Sequence, residues 1–218
     1  MKNKFGFSPV ESKVLSKLST QKRIQDFIDK IDYNIEKKGE TYFSPRMVLR
    51  KKMANCFEAA LFAAAALRFH GHPSLIMDLT SGRERDTDHV IAIFKINGHW
   101  GAIAKSKYPA LTFREPIHRT IRELALTYFE EYFNYYGKKT LRGYSNPVNM
   151  SRFDKINWMT TEEKLTCIED YLNGIKHHKL LTGSMVRNLR KTTPLMREAG
   201  EIWINRHNLQ KKVKAECQ

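Results

Sequence analysis

The chain has 218 residues, 41% of them hydrophobic and 11% aromatic, which predicts a globular protein with one large domain, or one domain with appendages, and leaves little room for two full domains. Its best candidate for a membrane span, residues 59–67, falls far short of the roughly 20 apolar residues that a bilayer requires. The N-terminus lacks the apolar core of a signal peptide. We therefore expect a cytoplasmic protein that has no membrane partner.

Cysteine content and charge further limit the kind of protein that this can be. The three cysteines, at positions 56, 167 and 217, are too few and too scattered for a disulfide framework or a zinc site, and free thiols fit a reducing compartment. The net charge is +15, and residues 179–218 supply six of those charges through nine Lys/Arg and three Asp/Glu. Such an excess allows nucleic acid or an acidic partner to bind the basic surface.

Apolar residues at three- and four-residue steps predict helical structure over residues 9–40, with a helix start at Gln21 after Ser19-Thr20. Pro45 is expected to open a short helix.

Residues 56–70 form the most distinctive segment. Asn55 is a good N-cap, alanine and leucine dominate the middle, and Gly71 suits the helix end. Because residues 59–67 are apolar on every side, this helix is predicted to be the buried central helix of the domain.

Two or three strands are expected next. Residues 73–80 and 89–96 are rich in β-branched and other apolar residues, and Asn97-Gly98 is a strong hairpin signal before a returning strand that begins at His99.

The C-terminal half is predicted to be mainly helical. A helix is expected after Pro116 through Tyr132, with Gly137 and Gly143 opening a loop. Residues 160–163 resemble a helix start. Cys167 is expected to lie on that helix and to be buried in the protein core. These predictions give one domain over residues 1–178, with its core at about residues 41–136, and a basic, partly helical tail over residues 179–218.

Cys56 is the candidate nucleophile. At the first turn of a helix, unpaired backbone N–H groups and the helix dipole favour a thiolate and can later stabilise an oxyanion. An alternative is that Cys56 is simply a small buried apolar residue.

His89 is the candidate general base and acid. It begins the first strand of the hairpin, beside a polar loop, from which it can reach the helix start. The order of a cysteine that opens an apolar helix, a strand, and a histidine that opens a hairpin is the arrangement that papain-type chemistry requires.

These motifs resemble a known family. The segment Asn55-Cys56-x-Glu58-Ala59 is similar to the cysteine motif of transglutaminase-like domains, and Asp88-His89-Val90 with Gly98-x-Trp100 is similar to their histidine strand and following tryptophan. The resemblance covers residues 41–107 and extends over residues 114–133 in a little-characterised bacterial branch. It implies a papain-like α+β fold, with the Cys-bearing helix packed on a small antiparallel sheet, and acyl transfer on a peptide or amide substrate without a cofactor.

One departure concerns the residue that orients the imidazole. The family places an aspartate shortly after the tryptophan, where this chain has no carboxylate. A two-residue turn at 97–98 pairs residues whose numbers sum to 195, so that His89 would face Ser106. Ser106 is therefore one candidate orienter; Asp78 and Asp86 are others, and Asp88 is the least favoured because it should point to the opposite face.

The remaining signals are weaker. Trp100 and Asn55 are expected to contact substrate. The pairs His70/His72 and His177/His178 lack a third metal ligand nearby and are interpreted as polar surface, so no metal is expected. If the missing carboxylate means a degenerate site, the alternative function is a basic scaffold that binds an acidic partner or nucleic acid.

Overall fold

An antiparallel sheet lies at the centre of the structure, a computed structural model that describes residues 4–37, 39–82, 86–202 and 204. In chain order the strands are β1 (Asp32–Tyr33), β2 (Met53–Ala54), β3 (Leu75–Ser81), β4 (His89–Ile96), β5 (His99–Ile103), β6 (Arg114–His118), β7 (Leu141–Ser145), β8 (Val148–Asn149) and β9 (His177–Lys179). The main sheet has the spatial order β6-β5-β4-β3-β7-β9, with β8 also paired to β3, while β1 and β2 form a separate parallel pair.

Helices cover both faces of this sheet, which makes the fold class α+β. They are α1 (Pro9–Lys17), α2 (Gln21–Lys30), α3 (Pro45–Lys51), α4 (Cys56–Phe69), α5 (Ile121–Leu126), α6 (Thr166–Gly174), α7 (Gly183–Arg187) and α8 (Pro194–Gly200). Short 3-10 segments lie at Lys4–Gly6 and Met150–Ile156. No helix among the described residues has the length and apolar character to cross a membrane.

Helix α4 is the buried central helix that its composition predicts. Every residue from Phe57 to Leu67 is buried, including the carboxylate of Glu58. The helix packs on one face of the sheet at Val90, Ala92 and Phe94. A second core cluster covers the opposite face, where Tyr128 and residues of α5 pack on Ile91.

The hairpin prediction is confirmed, including its register. Asn97 and Gly98 have φ angles of 49° and 82°, the left-handed pair that a two-residue type I′ turn requires. Partners from Ile96↔His99 to Ala92↔Ile103 sum to 195 as predicted. The β4–β5 ladder ends at the pair Ala92↔Ile103, however, and does not extend to His89 at the start of β4.

Several predicted elements are wrong in their extent. Residues 32–37, 39 and 40 contain strand β1 and a loop instead of helix, and α5 ends at Leu126 instead of Tyr132. Gly143 lies inside strand β7, and residues 160–163 precede α6, which begins at Thr166. Cys167, expected in the core, is exposed on α6. Strand β9 pairs with β7 across residues 178 and 179, so the sheet extends past the predicted start of the basic tail.

Candidate active site

Cys56 is the first residue of α4, and its position is fixed by a reciprocal capping box. The Asn55 side chain accepts the backbone N–H of Glu58 at 3.0 Å, and the Glu58 carboxylate accepts the backbone N–H of Asn55 at 2.9 Å. Glu58 also accepts hydrogen bonds from the Thr41 hydroxyl and, at 3.0 Å, from the Phe43 backbone N–H. The helix start and the preceding loop are therefore held together at the cysteine.

The thiol of Cys56 is partly exposed but poorly solvated. Burial is the main cause that raises the pKa of the thiol to about 11; hydrogen bonds from the backbone of Val90 and Phe57 oppose the shift, and the carboxylates of Glu169 and Asp78 add smaller increases. The backbone N–H groups therefore favour the thiolate, but desolvation outweighs them. At neutral pH the group is a thiol.

His89 is buried against the ring of Tyr128, with a centroid distance of 6.1 Å. Its Nε2 lies 3.0 Å from the carbonyl oxygen of Leu111. Because a carbonyl only accepts, Nε2 carries the proton, and the neutral ring keeps its lone pair on Nδ1. Burial lowers the pKa of His89 to about 4, so the imidazole is neutral at neutral pH and Nδ1 is its unprotonated nitrogen.

Cys56 and His89 line the same opening, which we call the histidine cavity. It has a volume of about 470 Å³, and Ser106, Tyr108 and Leu111 also line it. The two candidate side chains approach it from opposite faces of β4, since Val90 packs towards α4 and His89 packs towards Tyr128. The described residues give the imidazole Leu111 as its hydrogen-bond partner, and no hydrogen bond joins it to the thiol.

The candidate orienters are distributed differently from the expectation. Ser106 lies beyond the last paired residue of β5, and its hydroxyl accepts the backbone N–H of Tyr108 at 3.0 Å. The predicted cross-strand pairing of Ser106 with His89 does not form, because the β4–β5 ladder ends at Ile103. On its other edge His89 pairs with Leu79 of β3. The partner observed on the imidazole is the Leu111 carbonyl, which a search for side chains could not find.

Two of the three aspartates, Asp86 and Asp88, line the histidine cavity together with His89, whereas Asp78 does not. Asp78 pairs with Val90 across the sheet and therefore lies on the α4 face, where its Oδ2 is 2.9 Å from Nε2 of His177. Asp86 accepts the hydroxyl of Thr140, and Asp88 accepts the backbone N–H of Ser81 at 2.7 Å.

A second opening, which we call the carboxylate cavity, also reaches Cys56. It has a volume of about 420 Å³ and is lined by Asn55, Cys56 and the carboxylates of Glu36, Glu40, Asp78, Asp86, Asp88 and Glu169. Of the two residues expected to contact substrate, Asn55 lies on this wall. Trp100 is near the other end of β4, stacked under the ammonium of Lys95 at 5.1 Å, and lines neither cavity.

Sequence reasoning missed Glu169 and His177. Glu169 projects from the first turn of α6 and His177 from β9, both far along the chain from Cys56. Burial raises the pKa of Glu169 to about 7. The His177/His178 doublet was the one visible signal; of the two, His177 faces Asp78 whereas His178 bonds Asn146.

Comparison with protein-family models gives no match, and comparison with curated proteins gives none either. Within the described part of the chain, no three His, Cys, Asp or Glu side chains are placed to hold a metal ion. The site must therefore be interpreted from its own geometry.

Proposed function

We propose that this protein is a cysteine-dependent acyl-transfer enzyme, an amide or peptide hydrolase or a transamidase, with a papain- or transglutaminase-like arrangement. The observation that carries the proposal is the hydrogen bond from His89 Nε2 to the Leu111 carbonyl. It fixes the tautomer that leaves Nδ1 as the base, in the cavity that Cys56 also lines.

The proposed reaction starts from a neutral pair. Nδ1 of His89 takes the thiol proton as the sulfur of Cys56 bonds to the acyl carbon, and the imidazolium then returns that proton to the leaving group. The Leu111 carbonyl stabilises the imidazolium through Nε2–H. First-turn N–H groups of α4, which lack carbonyl partners within the helix, stabilise the oxyanion. Water or an amine then cleaves the thioester and releases the acyl group from sulfur.

The test uses p-nitrophenyl acetate as a generic acyl donor. Acetylation of Cys56 forms a thioester and releases one p-nitrophenolate, which absorbance and intact mass both detect. We expect His89→Ala and His89→Gln to slow this acetylation by roughly 10²- to 10⁴-fold, the usual contribution of a general base. Near-ultraviolet circular dichroism establishes that each variant is folded.

The exposed Cys167 provides the matched control. Cys167→Ser should leave the release of p-nitrophenolate unchanged, whereas Cys56→Ser should abolish the thioester. If peptide mapping finds Cys56 and Cys167 acetylated at equal rates, and folded His89→Gln leaves the Cys56 rate unchanged, the thiol–imidazole pair is not functional.

A second candidate function is that of a basic scaffold for a polyanion. One cavity of about 200 Å³, the basic cavity, is lined by the cations Lys138, Lys139, Arg142, Arg190 and Lys191. Tyr135 and Tyr136, in the loop before Lys138, are exposed. Cations beside exposed aromatic rings are typical of surfaces that bind single-stranded nucleic acid.

A further inference from the structure

The carboxylate cavity is acidic, although the chain as a whole is strongly basic. The whole chain carries a net charge of +15, yet six carboxylates line this single opening beside Cys56, and its described lining includes one Lys or Arg, Lys107. The ammonium of Lys107 lies over the ring of Tyr33, 5.1 Å from its centroid. Neighbouring carboxylates repel one another, so gathering them costs free energy unless a positive group joins them.

Asp78 has an oxygen that nothing in the described structure satisfies. The residue is 2% exposed and lines the cavity. Its Oδ2 accepts the N–H of His177 at 2.9 Å, but Oδ1 is buried without a hydrogen-bond partner. An unpaired buried carboxylate oxygen is costly, typically by about 1–3 kcal/mol or more, and a bound donor would remove that cost.

The carboxylate of Glu169 is the second one in the cavity that is open to a ligand. It is half-buried, and within the described residues no hydrogen bond or ion pair engages it. By contrast, Glu36 accepts the backbone N–H of Thr41 at 2.8 Å and Asp88 accepts that of Ser81. Asp78, through Oδ1, and Glu169 are therefore two of the cavity's carboxylates with capacity left for a donor.

We propose that the carboxylate cavity binds an organic cation, the ammonium or guanidinium of a substrate whose acyl group is presented to Cys56, with Asp78 and Glu169 as its direct partners. This substrate class rests on the proposed function. The described side chains do not converge as a metal site, and a cavity of about 420 Å³ accommodates a larger cation with several N–H donors.

Protonation supports the same ligand chemistry. Burial, together with the charges of Asp78, Glu40 and Asp88, raises the pKa of Glu169 to about 7. The hydrogen bond to Asp78 raises the pKa of His177, which faces the same group of carboxylates. As pH rises, Glu169 gains negative charge and His177 loses positive charge, so both changes strengthen the binding of a cation.

The experiment is calorimetric titration of the full chain with N-acetyl-L-argininamide and with its neutral isostere, N-acetyl-L-citrullinamide. We expect the cation to bind at least about tenfold more tightly, because partly desolvated carboxylate–guanidinium bonds are charge-assisted. Affinity should rise from about pH 6 to about pH 8, around the pKa of about 7 of Glu169. Glu169→Gln should weaken binding about fivefold or more and flatten this pH dependence.

The controls distinguish binding in the carboxylate cavity from binding at surface carboxylates and from binding of a metal ion. Glu130→Gln removes an exposed carboxylate that lies outside the cavity and should leave affinity unchanged, whereas Asp78→Asn should reduce it. Equal binding of the two amides, or unchanged affinity in Glu169→Gln, would overturn the proposal. Loss of argininamide binding on adding Mg²⁺ at constant ionic strength would assign the cavity to a metal instead.

The two proposals fail independently. If the cation still binds to Cys56→Ser, but Cys56 of the native chain is not acetylated, the cation site stands and the acyl-transfer proposal is wrong. Acetylation of Cys56 that depends on His89, with no preference for the cation, would do the reverse.

Discussion

A single buried carboxylate sets the geometry of the candidate nucleophile. Glu58 is fully buried, and its oxygens accept donors from the chain before α4 and from the N-cap: Asn34, Thr41, Phe43 and Asn55. A carboxylate can accept all of these bonds because both of its oxygens carry only lone pairs. An amide presents an NH₂ group to one of those donors.

We therefore predict that Glu58→Gln lowers the free energy of unfolding by about 2–4 kcal/mol, the cost of leaving buried donors unpaired. The matched control is Glu123→Gln, because Glu123 occupies the same position in the first turn of α5 and accepts the backbone N–H of Arg119, just before the N-cap, at an exposed site. That control should cost less than about 1 kcal/mol. Urea unfolding measures both variants; equal losses would show that burial of Glu58 is unimportant.

At the scale of elements, strand β5 depends on a glycine that the hairpin pattern does not explain. Gly101 faces Phe94 across the ladder. A Cβ at this position would lie 2.5 Å from the ring of Phe94 and 2.8 Å from the carbonyl oxygen of Arg114. The ring of Phe94 is also held by its contact with Phe113, at a centroid distance of 6.0 Å.

Gly101→Ala should therefore destabilise the protein by about 1–3 kcal/mol through overpacking. Gly174, the last residue of α6, has no neighbour within 4 Å of the equivalent Cβ. Gly174→Ala should be neutral or stabilise by up to about 1 kcal/mol, since alanine restricts the unfolded chain. Thermal unfolding of both variants tests the contrast; a neutral Gly101→Ala would mean that Phe94 moves freely.

The elements that were predicted correctly have strong local signals. Thr20 caps α2, Ser44 caps α3 before Pro45, and the pair at 97–98 forms its turn. Residues 32–40 continued a helical apolar pattern, yet residues 32 and 33 form β1, because pairing with β2 outweighs weak helix propensity. Tertiary contacts decide such segments, and a local pattern does not contain them.

At the scale of the whole molecule, opposite charges are separated. The carboxylate cavity lies beside Cys56, whereas the basic cavity lies between β7 and the segment that follows α7. The proposed cation site and the candidate polyanion surface therefore lie in different parts of the molecule. The net charge predicted from composition does not reveal either location.

If the basic cavity binds single-stranded RNA, an oligonucleotide of about 20 nucleotides should bind with an affinity that falls steeply with salt. The double variant Arg190→Glu/Lys191→Glu should weaken binding and reduce the salt slope by roughly 0.7 for each phosphate that the protein no longer neutralises. Lys13→Glu/Lys155→Glu makes the same change of charge at other exposed positions and should have a smaller effect. Filter retention measures this, and no retention at low salt would end the scaffold hypothesis.

Short-range sequence patterns were enough to predict the buried helix, its cap and the hairpin, and to put Cys56 at a helix start and His89 at a strand start, because each depends on neighbours within a few positions. The groups that surround those two residues come from the packing of distant segments. The Leu111 carbonyl reaches the imidazole through a loop, Asp78 and Glu169 line the cavity beside the thiol from two separate elements, and His177 reaches Asp78 from a third. Every residue has a backbone carbonyl, so the sequence does not show which carbonyl accepts a hydrogen bond from the imidazole. The desolvation of a side chain depends on the segments that pack around it. The pKa values of the thiol and of the imidazole are therefore properties of the fold.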